Sequence, residues 1–505
     1  MLTMPRLPRI AGIHARSLLT RPTEAELHAL AETVATARVT SYGSVNVTTR
    51  VHDRLPGATF LVTDEPWRHG VPSISRAAGA RLAALQDAHL AAAGAVLVDG
   101  FVGHAGEHRR PARLVVERAH AHMAAMQRYL YHDPVDVGAA HEPELHTICT
   151  PDLAALGYPG GQVIAVWLDE GVTRVIGTDY FGEAKKAGLR IWNERVYRGG
   201  GLVMHTGCKV VPTPDGPRAM LIAGLPDTGK TTTTFSSYGG ARMAQDDFVA
   251  LLPGGRVVLA EHGCIEKTWR LDARSAPVIH AAVTRPDAYL ENVAQRGSRP
   301  DFADGRRTTK GRAVFSLRAI EHVPAAQVPP VAFLVILVRA DGATPAVVRL
   351  RGPLQAAAWY LARELREPPR PLAPSFRPDK AEQGLRLAAL LASHPIEVVV
   401  MNTGRVGGRD GDPHARNIGV ADSAAILAAL AAGEIAWEPD PDLGHDLATR
   451  VAGVDPELLH PRRLYARRRR LADYRAEVER RRAERSAYLA AVPGLDPRIA
   501  TALDD

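Results

Sequence analysis

The stretch GLPDTGKTTTTF, Gly224 to Phe235, follows directly on the apolar run Ala219 to Ala223 and limits what this chain can be more than any other segment. It satisfies G-x-x-x-x-G-K-[ST], with Gly224, Gly229, Lys230 and Thr231 in register. An apolar strand feeding such a loop, with a helix opening at its lysine, presents backbone N–H groups and a helix N-terminus to phosphate oxygens. The lysine neutralises the β and γ oxygens, and the hydroxyl ligates Mg²⁺. Lys230 and Thr231 are expected in those roles, with Gly224, Asp227, Thr228, Gly229 and Thr232 completing the ATP-phosphate set. Pro226 and Asp227 are out of character, since proline removes a donor and a carboxylate repels phosphate. Asp227 fits if its side chain points outward while the backbone cradles, or if it meets a metal-bound water or the acceptor.

Beyond the loop, a strand beginning near Arg242 ends in Gln245-Asp246-Asp247, where carboxylates can serve a nucleotide-bound metal. Helical patterning is read at residues 24–37, 76–93 and 112–128. Apolar runs read as strands at residues 95–98, 163–168, 172–176, 219–223, 331–338 and 398–401. Pro253-Gly254-Gly255 separates two further strands as a hairpin signal, and residues 367–378 read as a Pro/Arg-rich surface loop. The class is α/β with antiparallel pieces, not a regular doubly wound sheet.

With 505 residues, 46% hydrophobic and 23% charged, the chain has material for two or more buried cores. Its 62 Lys+Arg against 55 Asp+Glu leave +7, and the arginines at 467–470 and 480–482 interleave with Glu477, Glu479 and Glu484 at helical spacing. That pattern is a solvated helix rather than a nucleic-acid patch. No apolar run approaches the roughly 20 residues of a membrane span, and no signal-peptide core is visible. Three cysteines without metal spacing argue against a disulfide framework, so the expected compartment is the cytoplasm.

Two upstream stretches, YFGEAKK (Tyr180 to Lys186) and VMHTGCKV (Val203 to Val210), are unremarkable alone: a solvated lysine pair and a core histidine. In order with GLPDTGKTT and QDDFV, however, they resemble the ATP-dependent phosphoenolpyruvate carboxykinase family, whose patterns are Y-x-G-E-M-K-K, M-H-C-S-A-N-V, G-L-S-G-T-G-K-T-T and G-D-D-E-H. The resemblance continues through EHGCIEKTWRL, YLENV, DFADGRRTTKGRAVFSL, MNTGR and GVDPELLHPR, covering nearly the whole chain. It implies a two-lobed carboxykinase-like fold, with an acceptor lobe over residues 1–207 and a P-loop nucleotide-binding lobe with a helical tail over 208–505. It also implies a second divalent ion, Mn²⁺, held by Lys186, His205 and Asp247, in addition to Mg²⁺ with ATP at Thr231. Lys186 must then be unprotonated, which the ion and neighbouring Lys185 favour. Asp246 matches a carboxylate near the nucleotide metal, and Arg312 an arginine reaching the phosphoryl group. Tyr180 matches a residue lining the organic-substrate pocket, Arg54 an arginine gripping the substrate carboxylate, and Arg416 joins the ATP set. Lys186, Lys230, Asp246 and Arg312 are the expected catalytic residues.

Departures gather on the acceptor side. Leu55 to Thr59 replace S-P-K-D-K, Pro226-Asp227 replace serine and glycine, and Arg405 replaces the tryptophan of N-T-G-W. The leading expectation drawn from them is phosphoryl transfer from ATP to the hydroxyl of a small carboxylate-bearing acceptor, such as a sugar acid, nucleoside or biosynthetic intermediate. The alternative is a true carboxykinase converting oxaloacetate to phosphoenolpyruvate and CO₂, and a third reading is a nucleotide sensor. The only partner expected is the small molecule, with no nucleic acid and no membrane; oligomeric state stays open.

Overall fold

In the computed structural model, residues 15–54, 57–65, 72–133, 142–363 and 379–503 are described. Their contacts divide the chain into two compact units. The first comprises 1–195, 260–320 and 371–377, and the second 196–259, 321–370 and 378–505. The chain thus leaves the first unit and returns to it, where the sequence reading draws a single boundary after residue 207. The return is built by pairing: Tyr289–Glu291 joins Val45–Val47 in parallel, and the Gly103 amide donates to the Ala260 carbonyl at 2.9 Å.

The first unit holds a mixed eight-stranded sheet and a five-stranded sheet. At the centre of the larger one, Gly94–Val102 pairs antiparallel with Arg110–Glu117, which runs parallel to Leu145–Thr150. This corrects the helix expected over 112–128. Leu114, Val115 and Val116 are β-compatible apolar residues buried between two neighbouring strands, and the helix starts only at Ala121 and runs to Leu130. The helix expected at 24–37 is shorter, Glu24–Glu32, and begins with a Thr23–Glu26 capping box. A long helix, α1 (Phe181–Arg198), carries Lys185 and Lys186.

A ten-stranded sheet forms the second unit. Its centre is three parallel strands: β2 (Arg218–Gly224), Val331–Val338 and Glu397–Asn402. These are nearly continuous apolar runs because both faces are covered. Helices Pro353–Ala362 and Lys380–Ser393 pack on one side, and Val420–Ala432 on the other. Antiparallel to β2 lies β1 (Leu202–Val211), which also pairs with β3 (Arg242–Gln245) and β4 (Phe248–Leu251). Between β2 and β3 sits the short helix α2 (Lys230–Phe235). The Arg/Glu-rich tail is helical over Leu471–Ala490, and its Leu489 enters the core. Among the described residues, no helix is long and apolar enough to cross a membrane. The expected Pro/Arg-rich loop at 367–378 lies outside the described residues.

Candidate active site

Strand β2 ends at Gly224 and α2 opens at Lys230, so the loop 225–229 joins a buried strand to a helix N-terminus. Gly229 takes φ +87° as the N-cap, with no side-chain cap hydrogen bond, so the first-turn N–H groups of α2 have no side-chain acceptor there. Gly224 is required by packing: a Cβ there would meet Thr228 Oγ1 at 2.4 Å. Thr228 is buried and donates to the Leu225 carbonyl at 2.7 Å, while its own carbonyl accepts from Thr403 at 2.8 Å. Pro226, Asp227 and Thr232 are exposed, and Asp227 adopts φ +67°, a conformation Asp tolerates better than most residues. The Asp227 carbonyl accepts from Arg339 at 3.4 Å. A cavity of about 160 Å³ lies against this loop, lined by Thr228, Gly229, Arg339, Thr403, Ile418 and Val420 among others.

Asp246 and Asp247 sit where β1 passes from β3 to β4. Gln245 pairs with Cys208 and Phe248 with His205, so the two aspartates span the step at Thr206–Gly207, which pairs with β2 but not with β3 or β4. Asp246 is buried; its Oδ1 is ion-paired with Lys230 Nζ, and its Oδ2 accepts from Thr231 Oγ1 at 2.9 Å. One carboxylate therefore holds both residues expected to serve the phosphates and Mg²⁺. The next residue, Asp247, has φ +113°, a strained conformation for a non-glycine residue. Its Oδ1 lies 2.7 Å from His205 Nε2, and the His205 ring stacks on Phe248 at 5.4 Å. An imidazole nitrogen and a carboxylate oxygen converging at a partly exposed position suit a divalent ion of the Mn²⁺ type. Sequence alone places Asp246 and Asp247 after a strand; that adjacent carboxylates serve different partners becomes visible only with the backbone turn between them.

Lys186, the third expected ligand, lies half-buried on α1 in the first unit. Its neighbour Lys185 is buried and ion-paired with Glu261 at 3.1 Å. This corrects the expectation that Lys185 helps deprotonate Lys186, because its charge already has a buried counter-ion.

The acceptor candidates Arg54, Tyr180 and Arg312 also belong to the first unit. The Asp179 carboxylate accepts from the Arg50 and Val51 amides at 2.8 and 2.9 Å, and Asn292 accepts from the Thr49 amide at 2.9 Å. These bonds fix the segment leading to Arg54, whose Nε lies 3.6 Å from Glu183 Oε1. Leu55 and Pro56, which follow it, lie outside the described residues. Burial pushes the Tyr180 phenol upward, while Arg312 and Arg54 pull it down. Arg312 pairs across the ladder with Glu291. Sequence reasoning missed Glu291: it is buried, accepts from the Phe181 amide at 3.1 Å at the start of α1, and burial pushes it up to about 7. Arg416, by contrast, is tied up as a surface pair with Asp455 and, at 3.1 Å, Glu457.

A separate cluster in the first unit, Glu117, His120 and Asp152, brings possible ligand atoms within 4.8 Å of one another. Arg50 already holds Asp152 at 2.9 Å, and His89 is paired with Glu117. No sequence spacing signals this cluster.

Residues 16–364 match the family model described as phosphoenolpyruvate carboxykinase. The protein named "Phosphoenolpyruvate carboxykinase (ATP)" in Rhizobium johnstonii is 31% identical over 478 residues, 88% of this chain and 86% of its own. Proteins of the same name in Rhizobium etli (30% identical; 85% and 84% covered) and Mesorhizobium japonicum (29%; 85% and 84%) are similar along the same length. These matches overturn the leading sequence expectation of a hydroxyl-directed small-molecule kinase. At about 30% identity most positions differ throughout, so the acceptor-side replacements do not single out a new acceptor. Pro226 and Asp227 are exposed, and Asp227 occupies a left-handed turn conformation, so their types also answer to local turn geometry. By the extent and consistency of these matches, the chain belongs to the ATP-dependent phosphoenolpyruvate carboxykinase family.

Proposed function

We propose that this chain converts oxaloacetate and ATP to phosphoenolpyruvate, ADP and CO₂. The observation that carries this reading is the pair of consecutive carboxylates with separate tasks: Asp246 on Lys230 and Thr231, and Asp247 on His205. That arrangement provides a phosphate end and a metal end within one residue of each other.

Lys230 and the loop amides take the ATP phosphates, Thr231 faces the Mg²⁺ that travels with them, and the cavity beside Gly229 and Ile418 receives the nucleoside. Within the second unit, His205 and Asp247 are the residues that would hold Mn²⁺, which would supply positive charge for phosphoryl transfer. Within the first unit, Arg54 and Arg312 are the cations to meet the anionic substrate, with Tyr180 lining the pocket. Cleavage of the C3–C4 bond of oxaloacetate releases CO₂ and leaves its electron pair as the pyruvate enolate. The enolate oxygen then bonds to the γ-phosphorus as the bond to ADP breaks, with no net proton. Arginine and lysine charges preorganised around a developing oxyanion stabilise such a step by several kcal/mol.

The test is stoichiometry. Purified protein with ATP, Mg²⁺, Mn²⁺ and oxaloacetate is expected to yield phosphoenolpyruvate, CO₂ and ADP in equal amounts. ADP formed without matching CO₂ and phosphoenolpyruvate would refute the reading.

A further inference from the structure

Strand β1 aims three residues at one face. His205, Gly207 and Lys209 alternate away from Leu202, Met204, Cys208 and Val210, which enter the core. His205 meets Asp247, and Gly207 lies against Thr234 of α2. Lys209 is fully buried, and its ammonium donates to the carbonyls of Thr233 at 3.2 Å, Thr234 at 2.9 Å and Ser236, with the Tyr238 ring 4.7 Å away. All three ammonium hydrogens are thereby used, on the carbonyl end of a six-residue helix. A helix this short does not hold itself in water. Its first residue is Lys230, one turn from Thr234, and the Thr234 hydroxyl donates back to the Lys230 carbonyl at 2.8 Å. Whatever fixes the last turn therefore fixes the first.

We propose that Lys209 is a positioning residue for the nucleotide site: its ammonium is a built-in cation that clamps the C-terminal turn of α2 and so places Lys230 and Thr231. The idea rests on the reading of residues 224–232 as the ATP-phosphate loop. The three hydrogen-bonding acceptors are backbone carbonyls at the negative end of the helix, a cradle of the kind that also suits a free monovalent cation. Burial pushes the ammonium down to about 8, and the three carbonyls are the acceptors that its buried charge meets.

The test compares Lys209→Met, Lys209→Gln and Lys209→Ala with the wild type, by equilibrium binding of a fluorescent ATP analogue with Mg²⁺ and by the KM of each substrate. Lys209→Met removes all three hydrogen bonds from the end of α2 and is expected to weaken nucleotide binding by about ten- to a hundredfold, with little change in the KM for oxaloacetate. In Lys209→Ala, ammonium or methylammonium ions are expected to restore part of that affinity. Lys209→Gln, which keeps a donor without the charge, is expected to fall between, and it carries the comparison should the methionine variant fail to fold. Wild-type affinity in the variants overturns the proposal, as does an equal rise in both KM values with no response to added cation. A wild-type protein that binds no nucleotide would instead remove the functional reading, and this proposal with it.

Discussion

Gly207→Ala tests how tightly the phosphate loop is tied to β1. A Cβ at Gly207 would lie 2.0 Å from Thr234 Oγ1, 2.7 Å from its Cγ2 and 2.9 Å from its Cβ. Comfortable contact needs about 3.5 Å or more, so strand and helix must part by about 1 Å. Thr234 cannot simply turn aside, because it is β-branched and its hydroxyl is bonded to the Lys230 carbonyl. Overpacking of this kind costs roughly 1–3 kcal/mol, and for a unit of this size each kcal/mol lowers Tm by roughly 2–4 °C. Displacing Lys230 by about 1 Å should also lower kcat/KM for MgATP by up to about a hundredfold. Thermal unfolding and initial rates report the two effects. The companion Thr234→Ala removes the two contacts at 2.0 and 2.7 Å and leaves the one at 2.9 Å, so the double variant should recover part of both losses, with a coupling of at least about 0.5 kcal/mol. An unperturbed single variant, or strictly additive effects in the double, would refute the reasoning.

Three other outcomes are expected. Asp246→Asn removes the charge shared by Lys230 and Thr231 and should reduce kcat/KM for MgATP by about ten- to a hundredfold in steady-state assays, while leaving Mn²⁺ activation intact. His205→Ala should abolish the rate increase that Mn²⁺ gives at saturating MgATP; an unchanged Mn²⁺ titration would take His205 out of the metal site. Glu291 is raised by burial to about 7 from 4.5, so the folded protein retains a proton that the unfolded chain releases across that window. Its contribution is therefore most favourable below about pH 4.5 and is lost as pH rises toward 7, by about 3 kcal/mol in all. Glu291→Gln keeps the acceptor for the Phe181 amide but cannot ionise, so its Tm relative to wild type should be higher at pH 8 than at pH 5, and an identical difference at both would argue against a titrating Glu291.

Much of the second unit can be read from local pattern. The run VAFLVILV is a strand because both of its faces are buried, and a continuous apolar run needs no partner to announce itself. The loop after Gly224 is legible for the same reason: a buried strand must end, and the glycines mark where. Elsewhere the deciding interactions are distant in sequence. Residues 112–117 open a longer Ala/Leu/Glu-rich stretch that reads as helical taken whole, yet their Leu114, Val115 and Val116 form a strand because Gly94–Val102 and Leu145–Thr150 flank them. The return of residues 260–320 to the first unit depends on pairing across more than 200 positions, which no window of sequence contains.

The site divides along the same line, and the division explains where the substrate reading went astray. Ligand types are carried by single residues, so Lys230, Thr231, Asp246, Asp247 and His205 stand out as soon as their order is seen. What a replacement does depends on where its side chain points, and that is a property of the backbone. Pro226-Asp227 looks like an assault on phosphate binding when written in line, yet both residues are exposed, with Asp227 turned through φ +67°. Lys209 looks like one more surface lysine, yet it is buried against the end of α2 by the alternation of β1. The first change is conspicuous in the sequence and lies at two exposed loop positions. The second is inconspicuous, and it places a charge one helical turn from Lys230 and Thr231, the residues proposed to meet ATP. A comparison of nucleotide affinity in Pro226→Ser and Lys209→Met would rank the two directly: the loop-crest change should alter binding by less than about threefold, within the ±0.5 kcal/mol usual for exposed positions, and the buried one by tenfold or more. The opposite ranking would mean that the crest of the loop, and not the strand beneath it, sets how this site holds its nucleotide.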